Sequence, residues 1–248
     1  MPIAKLPGVE IDYVDEGSGD PIILVHGFAS SKQANWIDTG WVQLLSDSGY
    51  RVIALDNRGH GGSTKFHDSD DYSMDKMTSD IISLMDHLDI AKPHVMGYSM
   101  GARITSELCI RKDRTFSKAI IAGSGDAMVH GYTHWDAVRD ALLAPSLDDV
   151  TDPTGIAFRK FADATKSDRH ALAACISYSR ANLTAEQFAE IENAVLVPIG
   201  TKDDIAGSGE ALAAMMPNAR YLPIPRRDHM RAVGDPVYKQ GVLDFLNE

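Results

Sequence analysis

Five short and nearly unbroken apolar runs punctuate this chain, and they restrict its fold more than any other feature. They are Pro21–Val25, Arg51–Leu55, Pro93–Met96, Ser117–Ala122 and Ala194–Ile199. A strand with one face in water alternates apolar and polar residues, whereas an unbroken run suits a strand covered on both faces, as in a parallel sheet. Helix-spaced stretches lie between the runs. Trp36, Ile37, Trp41, Leu44 and Leu45 predict a helix over Trp36–Ser48, stopped by Gly49. Met74, Met77, Ile81, Met85 and Leu88 predict another over Ser73–Leu88, with Ser73 as its N-cap and the methionines as core filler. Strands that alternate with helices imply a parallel sheet with right-handed crossovers. Ahead of them, Val9–Tyr13 alternates acidic and apolar residues and reads as an edge strand leading into the turn Asp15–Asp20.

The rhythm breaks after Asp126. Helical patterns at His134–Leu143, Ile156–Ala164, Ala171–Tyr178 and Ala185–Ile191 follow one another with no strand between them, which predicts a helical insertion over one end of the sheet. Alternation returns with Ala194–Ile199, a helix over Gly207–Met216, a last strand at Arg220–Ile224 and a closing helix at Pro236–Leu246. The expected organisation is a core of residues 1–126 and 194–248 interrupted by a helical cap at 127–193. A chain of 248 residues can bury one such α/β core without a separate second domain.

Composition removes several classes of function. A formal net charge of −11 argues against nucleic acid or an anionic membrane surface and favours neutral or cationic small substrates. The two cysteines, Cys109 and Cys175, sit in apolar helical patterns and read as buried thiols, not as a disulfide framework. The amino terminus lacks an apolar signal-peptide core and no run is long enough to cross a bilayer, so a cytoplasmic location is the default expectation. Nothing in the sequence addresses oligomeric state.

The chemistry centres on Gly97-Tyr98-Ser99-Met100-Gly101, which joins the run ending at Met96 to a helix-forming stretch. In a tight strand-to-helix turn the serine hydroxyl is lifted clear of the sheet, and a side chain at either glycine would collide with a neighbouring element. A glycine-rich turn with a serine N-cap is the bland alternative. Ligands of open parallel sheets bind where strands end. His26-Gly27-Phe28, Asp56, Ser99, Asp126, Asp203 and His229 all follow strand ends.

A serine hydroxyl attacks efficiently at neutral pH only when a base takes its proton and a carboxylate orients that base. His229, after the last strand, is the expected base. Asp203 is the preferred carboxylate, with Asp204 and Asp126 as alternatives; any of them could instead be a turn aspartate bonding its own backbone. The order Ser99, Asp203, His229 is that of a nucleophile, acid and base on such a sheet. The backbone N–H groups of Phe28 and Met100 are the expected oxyanion donors. His26 reads as structural. His130 and His134 share an i,i+4 spacing, but without an H-E-x-x-H or a cysteine set no metal site is expected. The glycine-rich loop Asp56–Ser63 fails the G-x-x-x-x-G-K spacing, and no G-x-G-x-x-G occurs, so no phosphate or dinucleotide loop is expected.

These residues together resemble the α/β-hydrolase superfamily over nearly the whole chain: the His26-Gly27-Phe28 turn, the Asp56–Ser63 loop (similar to D-x-R-G-x-G-x-S), the Ser99 elbow, Asp203 and His229. The resemblance implies an α/β-hydrolase fold with an eight-stranded, mostly parallel sheet, a helical cap after the sixth strand, and a hydrolase that needs no cofactor. Serine at the elbow argues against dehalogenase or epoxide-hydrolase chemistry, and the single Gly27 before Phe28 against the HGGG-type lipases. The expected activity is hydrolysis of small or medium carboxylic esters through an acyl-enzyme on Ser99. A carbon–carbon bond hydrolase, a thioesterase or a lactonase would use the same residues, and a non-catalytic ligand-binding receptor could share the fold.

Overall fold

The structure is a computed structural model in which residues 1–132, 135–178 and 181–248 are described. Eight strands form one sheet: β1 Ile3–Leu6, β2 Val9–Glu16, β3 Asp20–Val25, β4 Tyr50–Leu55, β5 His94–Tyr98, β6 Lys118–Ala122, β7 Ala194–Gly200 and β8 Ala219–Ile224. Their spatial order is β1-β2-β4-β3-β5-β6-β7-β8. β1 pairs antiparallel with β2 and β2 with β4, while the pairs from β4 through β8 are all parallel. This is an α/β-hydrolase fold.

Alternate residues of the buried strands feed two separate cores. Ile23, Val25, Ile53, Leu55, Val95, Ile121 and Val197 face one side. There they meet α2 (Met74–His87), α3 (Met100–Arg111) and α9 (Gly209–Ala214). Ile22, Leu24, Val52, Met96, Ile120 and Leu196 face the other, against α1 (Trp41–Asp47) and α10 (Pro236–Leu246). Most of these side chains are fully buried, each worth roughly 1.5–3 kcal/mol of transfer free energy. This two-sided burial is why the runs lack polar alternation.

Between β6 and β7 the chain forms α4 (Ala127–His130), α5 (Trp135–Leu143), α6 (Pro153–Ala164), α7 (Arg169–Ser177) and α8 (Ala185–Ala189). Aspartates cap α6 and α7, and Thr184 with Gln187 makes a capping box for α8. A third core ties α5, α6 and α7 to the body of the molecule: Val138, Leu142, Ala162, Leu172 and Cys175 pack with Phe28 and Tyr72. His134, the expected first residue of α5, lies outside the described residues.

Two expectations need correction. The expected edge strand Val9–Tyr13 is longer and paired on both sides, because Ile3–Leu6 folds back through a turn at Gly8 (φ 75°) and takes the edge. The expected helix Trp36–Ser48 is interrupted at Gly40, whose φ of 75° is left-handed. It divides a single π-helical turn at Gln33–Ile37 from α1 and lets Trp36 and Trp41 meet edge to face in the core. Cys109 and Cys175 are both buried, with no disulfide between them. Among the described residues, no helix is long and apolar enough to cross a membrane.

Candidate active site

β5 runs without a break into Ser99, whose φ of 56° and ψ of −113° are rare for a residue with a side chain. The turn survives because its two glycines admit the closest backbone approaches. A Cβ on Gly97 would stand 2.0 Å from the Gly101 carbonyl oxygen, and one on Gly101 would stand 2.0 Å from that of Val25 in β3. Ser99 donates its N–H to the Ala122 carbonyl at 2.8 Å, which fixes it to the end of β6.

The loop after β8 carries His229 to this hydroxyl. His229 Nε2 lies 3.0 Å from Ser99 Oγ, and Nδ1 lies 2.8 Å from Asp203 Oδ2 on the loop after β7. An Nδ1–H that donates to Asp203 leaves Nε2 with the lone pair that Ser99 faces. The Asp203 side chain is fully buried and that of His229 nearly so. The other Asp203 oxygen accepts the N–H groups of Ile205 and Ala206, each at 3.0 Å. The turn reading and the partner reading of this aspartate therefore both hold. Asp204 is exposed and faces a different cavity. Asp126 accepts the Ser208 N–H at 2.6 Å. Neither alternative carboxylate touches His229.

The turn after β3 leans directly on the elbow: a Cβ on Gly27 would lie 3.4 Å from that of Ser99 and 3.3 Å from the Tyr98 carbonyl. Phe28 follows and shares a chamber with Ser99 and His229. Met100 opens α3, where the first N–H groups have no partner within the helix. The turn is braced from behind. Asn35 Oδ1 accepts the Gly27 N–H at 3.1 Å, and His26 Nδ1 donates to the Gly27 carbonyl at 2.7 Å. His26 Nε2 accepts the Asn57 N–H at 3.0 Å, a pattern that requires the neutral ring. Burial lowers the pKa of His26, in keeping with that state. The Asp56–Ser63 loop is structural: Asp56 accepts the Lys32 ammonium and the Lys32 and Gly62 N–H groups, each at 2.7 Å. Arg58 forks onto Asp80.

Three supports were not singled out by sequence reasoning. Tyr98 donates its buried hydroxyl to the His229 carbonyl at 2.6 Å and so fixes the loop that carries the imidazole. Asn35 and Asn57 hold the turn at Gly27. Tyr98 and Asn57 stood inside noticed motifs and Asn35 did not, but polar side chains that bond distant backbone carry no local signal of that role.

Ser99 lines two cavities, and a third adjoins them. A chamber of about 210 Å³ is lined by Gly27, Phe28, Ser99, His229, Phe158 and Met230. A second, of about 510 Å³, is lined by Ser99, Met100, Arg103, Trp135, Ile176 and Asn182 among others. The largest, about 980 Å³, lies under α6 and shares Phe158, Phe161 and Met230 with the first. Among the described residues, no cluster of three or more His, Cys, Asp or Glu is arranged to hold a metal ion. His134, half of the noted histidine pair, lies outside them.

The sequence model of the alpha/beta hydrolase fold family matches residues 20–229. The chain belongs to that family. Among curated members of wider sequence similarity, the dihydrolipoyllysine-residue acetyltransferase component of the acetoin cleaving system of Pseudomonas putida is 30% identical over 226 residues, 86% of this chain. The non-heme chloroperoxidase of Kitasatospora aureofaciens is 39% identical over 102 residues, 41% of this chain. The matched regions span 59% and 35% of those two proteins. Among solved α/β hydrolases, the enol-lactonase from Burkholderia xenovorans LB400 superposes with a TM-score of 0.77 at 24% identity, with all of both chains covered. That likeness is one of fold.

Proposed function

We propose that this α/β hydrolase is a serine hydrolase of carboxylic esters, with Ser99 as nucleophile, His229 as base and Asp203 as the orienting acid. The observation that carries the reading is the unbroken relay from Asp203 through His229 to Ser99, at 2.8 and 3.0 Å. As Ser99 Oγ attacks the ester carbonyl carbon, His229 Nε2 takes the hydroxyl proton and Asp203 stabilises the imidazolium without accepting a proton itself. The tetrahedral oxyanion is received by the N–H groups of Phe28 and Met100. On collapse the C–O bond breaks and His229 gives its proton to the departing alcohol. Water, deprotonated by His229, then attacks the acyl carbon and frees the acid and Ser99.

In this reading residues 127–193 act as a cap on a core of 1–126 and 194–248, and the cap helices supply the aromatic walls and govern access. The cap contributes Trp135, Phe158 and Phe161 to the cavities around Ser99, which supports that role. Two buried thiols without a disulfide support a reducing compartment, the cytoplasm.

A fluorophosphonate probe tests the proposal. The folded protein is expected to be labelled, Ser99→Ala is expected not to be, and only the former should hydrolyse p-nitrophenyl esters. Equal labelling of both proteins, or none of the wild type, overturns it. A panel containing thioesters, lactones and a ring-cleavage dienoate separates ester hydrolysis from other uses of the same residues.

A further inference from the structure

Three aromatic rings from separate parts of the chain pack on one another where the cavities around Ser99 meet. Phe28 follows β3, Trp135 opens α5 and Phe158 lies in α6. Their centroids are 5.7 Å apart for Phe28 and Phe158, 5.8 Å for Trp135 and Phe158, and 6.3 Å for Phe28 and Trp135, all tilted or edge-on. At such spacings aromatic faces and edges attract. The triangle joins the turn at Gly27 to two helices of the insertion.

The same rings divide the space. Phe28 lines the 210 and 510 Å³ cavities but not the 980 Å³ one, Phe158 the 210 and 980 Å³ cavities but not the 510 Å³ one, and Trp135 the 510 and 980 Å³ cavities but not the 210 Å³ one. Each ring therefore stands between a different pair of cavities, as partitions do where three compartments meet. Phe161 and Met230 extend the partition of Phe158, and Tyr132 extends that of Trp135. Ser99 borders both of the smaller cavities, whereas His229 borders the 210 Å³ one and not the 510 Å³ one. An ester attacked by Ser99 must present its leaving oxygen to His229, so the alcohol side belongs in the 210 Å³ chamber. The acyl chain then has the 510 Å³ cavity, more than twice as large.

We propose that Phe158 and Trp135 are specificity-determining residues that size the two halves of the substrate separately, Phe158 closing the alcohol chamber and Trp135 the acyl cavity against the 980 Å³ space. This rests on the serine-hydrolase reading above and places the two parts of its ester. Removing either ring joins one of the cavities at Ser99 to the largest cavity and leaves the other bounded. A longer alkyl chain can then enter apolar space, where each buried methylene corresponds to about fourfold in affinity. Neither ring takes part in the relay from Asp203 through His229 to Ser99, so the effect falls on substrate size and not on the chemical step. Phe28 is left intact in the test because its backbone N–H is a proposed oxyanion donor, and its replacement would mix size with catalysis.

The test measures kcat/KM by pH-stat for two series: n-alkyl butyrates, which vary the alcohol on one acyl group, and ethyl alkanoates, which vary the acyl chain on one alcohol. Phe158→Ala is expected to raise the ratio of octyl to butyl butyrate at least about tenfold and to leave the ratio of ethyl decanoate to ethyl butyrate within about twofold of the wild type. Trp135→Ala is expected to do the reverse. A general loss of folded or active protein slows every ester alike and cancels in these ratios. Phe158→Leu and Trp135→Leu, the milder replacements, should shift the same ratios in the same directions by less. A variant that moves both ratios together, or neither, overturns the proposal and leaves the rings as core packing. Failure of the underlying reading looks different: no ester of either series would be cleaved and no probe would label Ser99. Octanol binding measured calorimetrically on Ser99→Ala would still report on the partition in that case, since adding Phe158→Ala should tighten it and equal affinity would count against the proposal.

Discussion

Replacing Gly101 by alanine measures how closely the elbow is built against the sheet. The new Cβ would lie 2.0 Å from the Val25 carbonyl oxygen, 2.6 Å from its carbon and 2.8 Å from the His26 carbonyl oxygen. All three are backbone atoms, so no side chain can rotate aside. Gly101 does not have a positive φ, and the cost is therefore one of contact alone. Withdrawal to 3.0 Å, below which real Cβ contacts essentially never fall, requires the start of α3 to move by about 1 Å. Ser99 lies two residues earlier and moves with it, which lengthens its 3.0 Å contact to His229 by a similar amount. Misplacement on this scale costs on the order of 100-fold in turnover. Overpacking of a close contact costs about 1–3 kcal/mol, and each kcal/mol lowers Tm by about 2–4 °C in a chain of this size. The assay is kcat/KM on p-nitrophenyl butyrate beside a thermal melt. The matched control is Gly234→Ala, whose methyl would meet only Thr39 at 3.7 Å and should leave both measurements unchanged. A Gly101→Ala protein with wild-type turnover and Tm would refute the role assigned to this approach.

Asp203→Asn leaves the shape of the site but favours the wrong imidazole tautomer, and it is expected to lower kcat by about 10⁴-fold, whereas Asp204→Asn should leave kcat within a factor of about two. Comparable losses in both variants would reassign the acid. Tyr98→Phe removes the hydroxyl that holds the His229 carbonyl at 2.6 Å; a loss of about 1–3 kcal/mol in stability is expected from the orphaned buried acceptor. Its kcat should fall more than its KM rises, and an unchanged kcat would leave Tyr98 a packing residue. Burial, with the neighbouring His26 ring, pushes the His60 imidazole down to about 3 from an ordinary 6.5. The unfolded chain then takes up the proton first, so this contribution to stability is complete above about pH 6.5 and declines as pH falls toward 3. The expected slope is about 1.4 kcal/mol per pH unit. Denaturant melts between pH 6.5 and 4.5 should show it, and His60→Gln should make the profile shallower while buried His26 and His94 keep a residual slope; parallel profiles for both proteins would contradict a buried neutral His60.

Much of this fold was legible because burial on both faces writes itself into composition. Ile22-Ile23-Leu24-Val25 has no polar residue because Ile22 and Leu24 enter one core while Ile23 and Val25 enter the other. Helix ends were equally plain where a side chain caps them, as Ser73 does by accepting the Lys76 N–H. The failures have physical causes too. Ile3-Ala4-Lys5-Leu6 is too short to announce a strand, and it becomes one only by pairing with Val9–Asp12. Gly40 sat within an apparently continuous helical stripe, where a single glycine is tolerated at a cost of about 1 kcal/mol relative to alanine. Its left-handed φ resolves the choice, and no local pattern encodes that.

The site was legible by residue type and less so by partner. A serine between two glycines at a strand end, and a histidine after the last strand, are local signals. The choice among Asp203, Asp204 and Asp126 is not local, since all three follow strands and all three are suited to turns. What separates them is where the backbone leaves each carboxylate: Asp203 Oδ2 on His229, Asp126 on the Ser208 N–H, and Asp204 in solvent at the rim of another cavity.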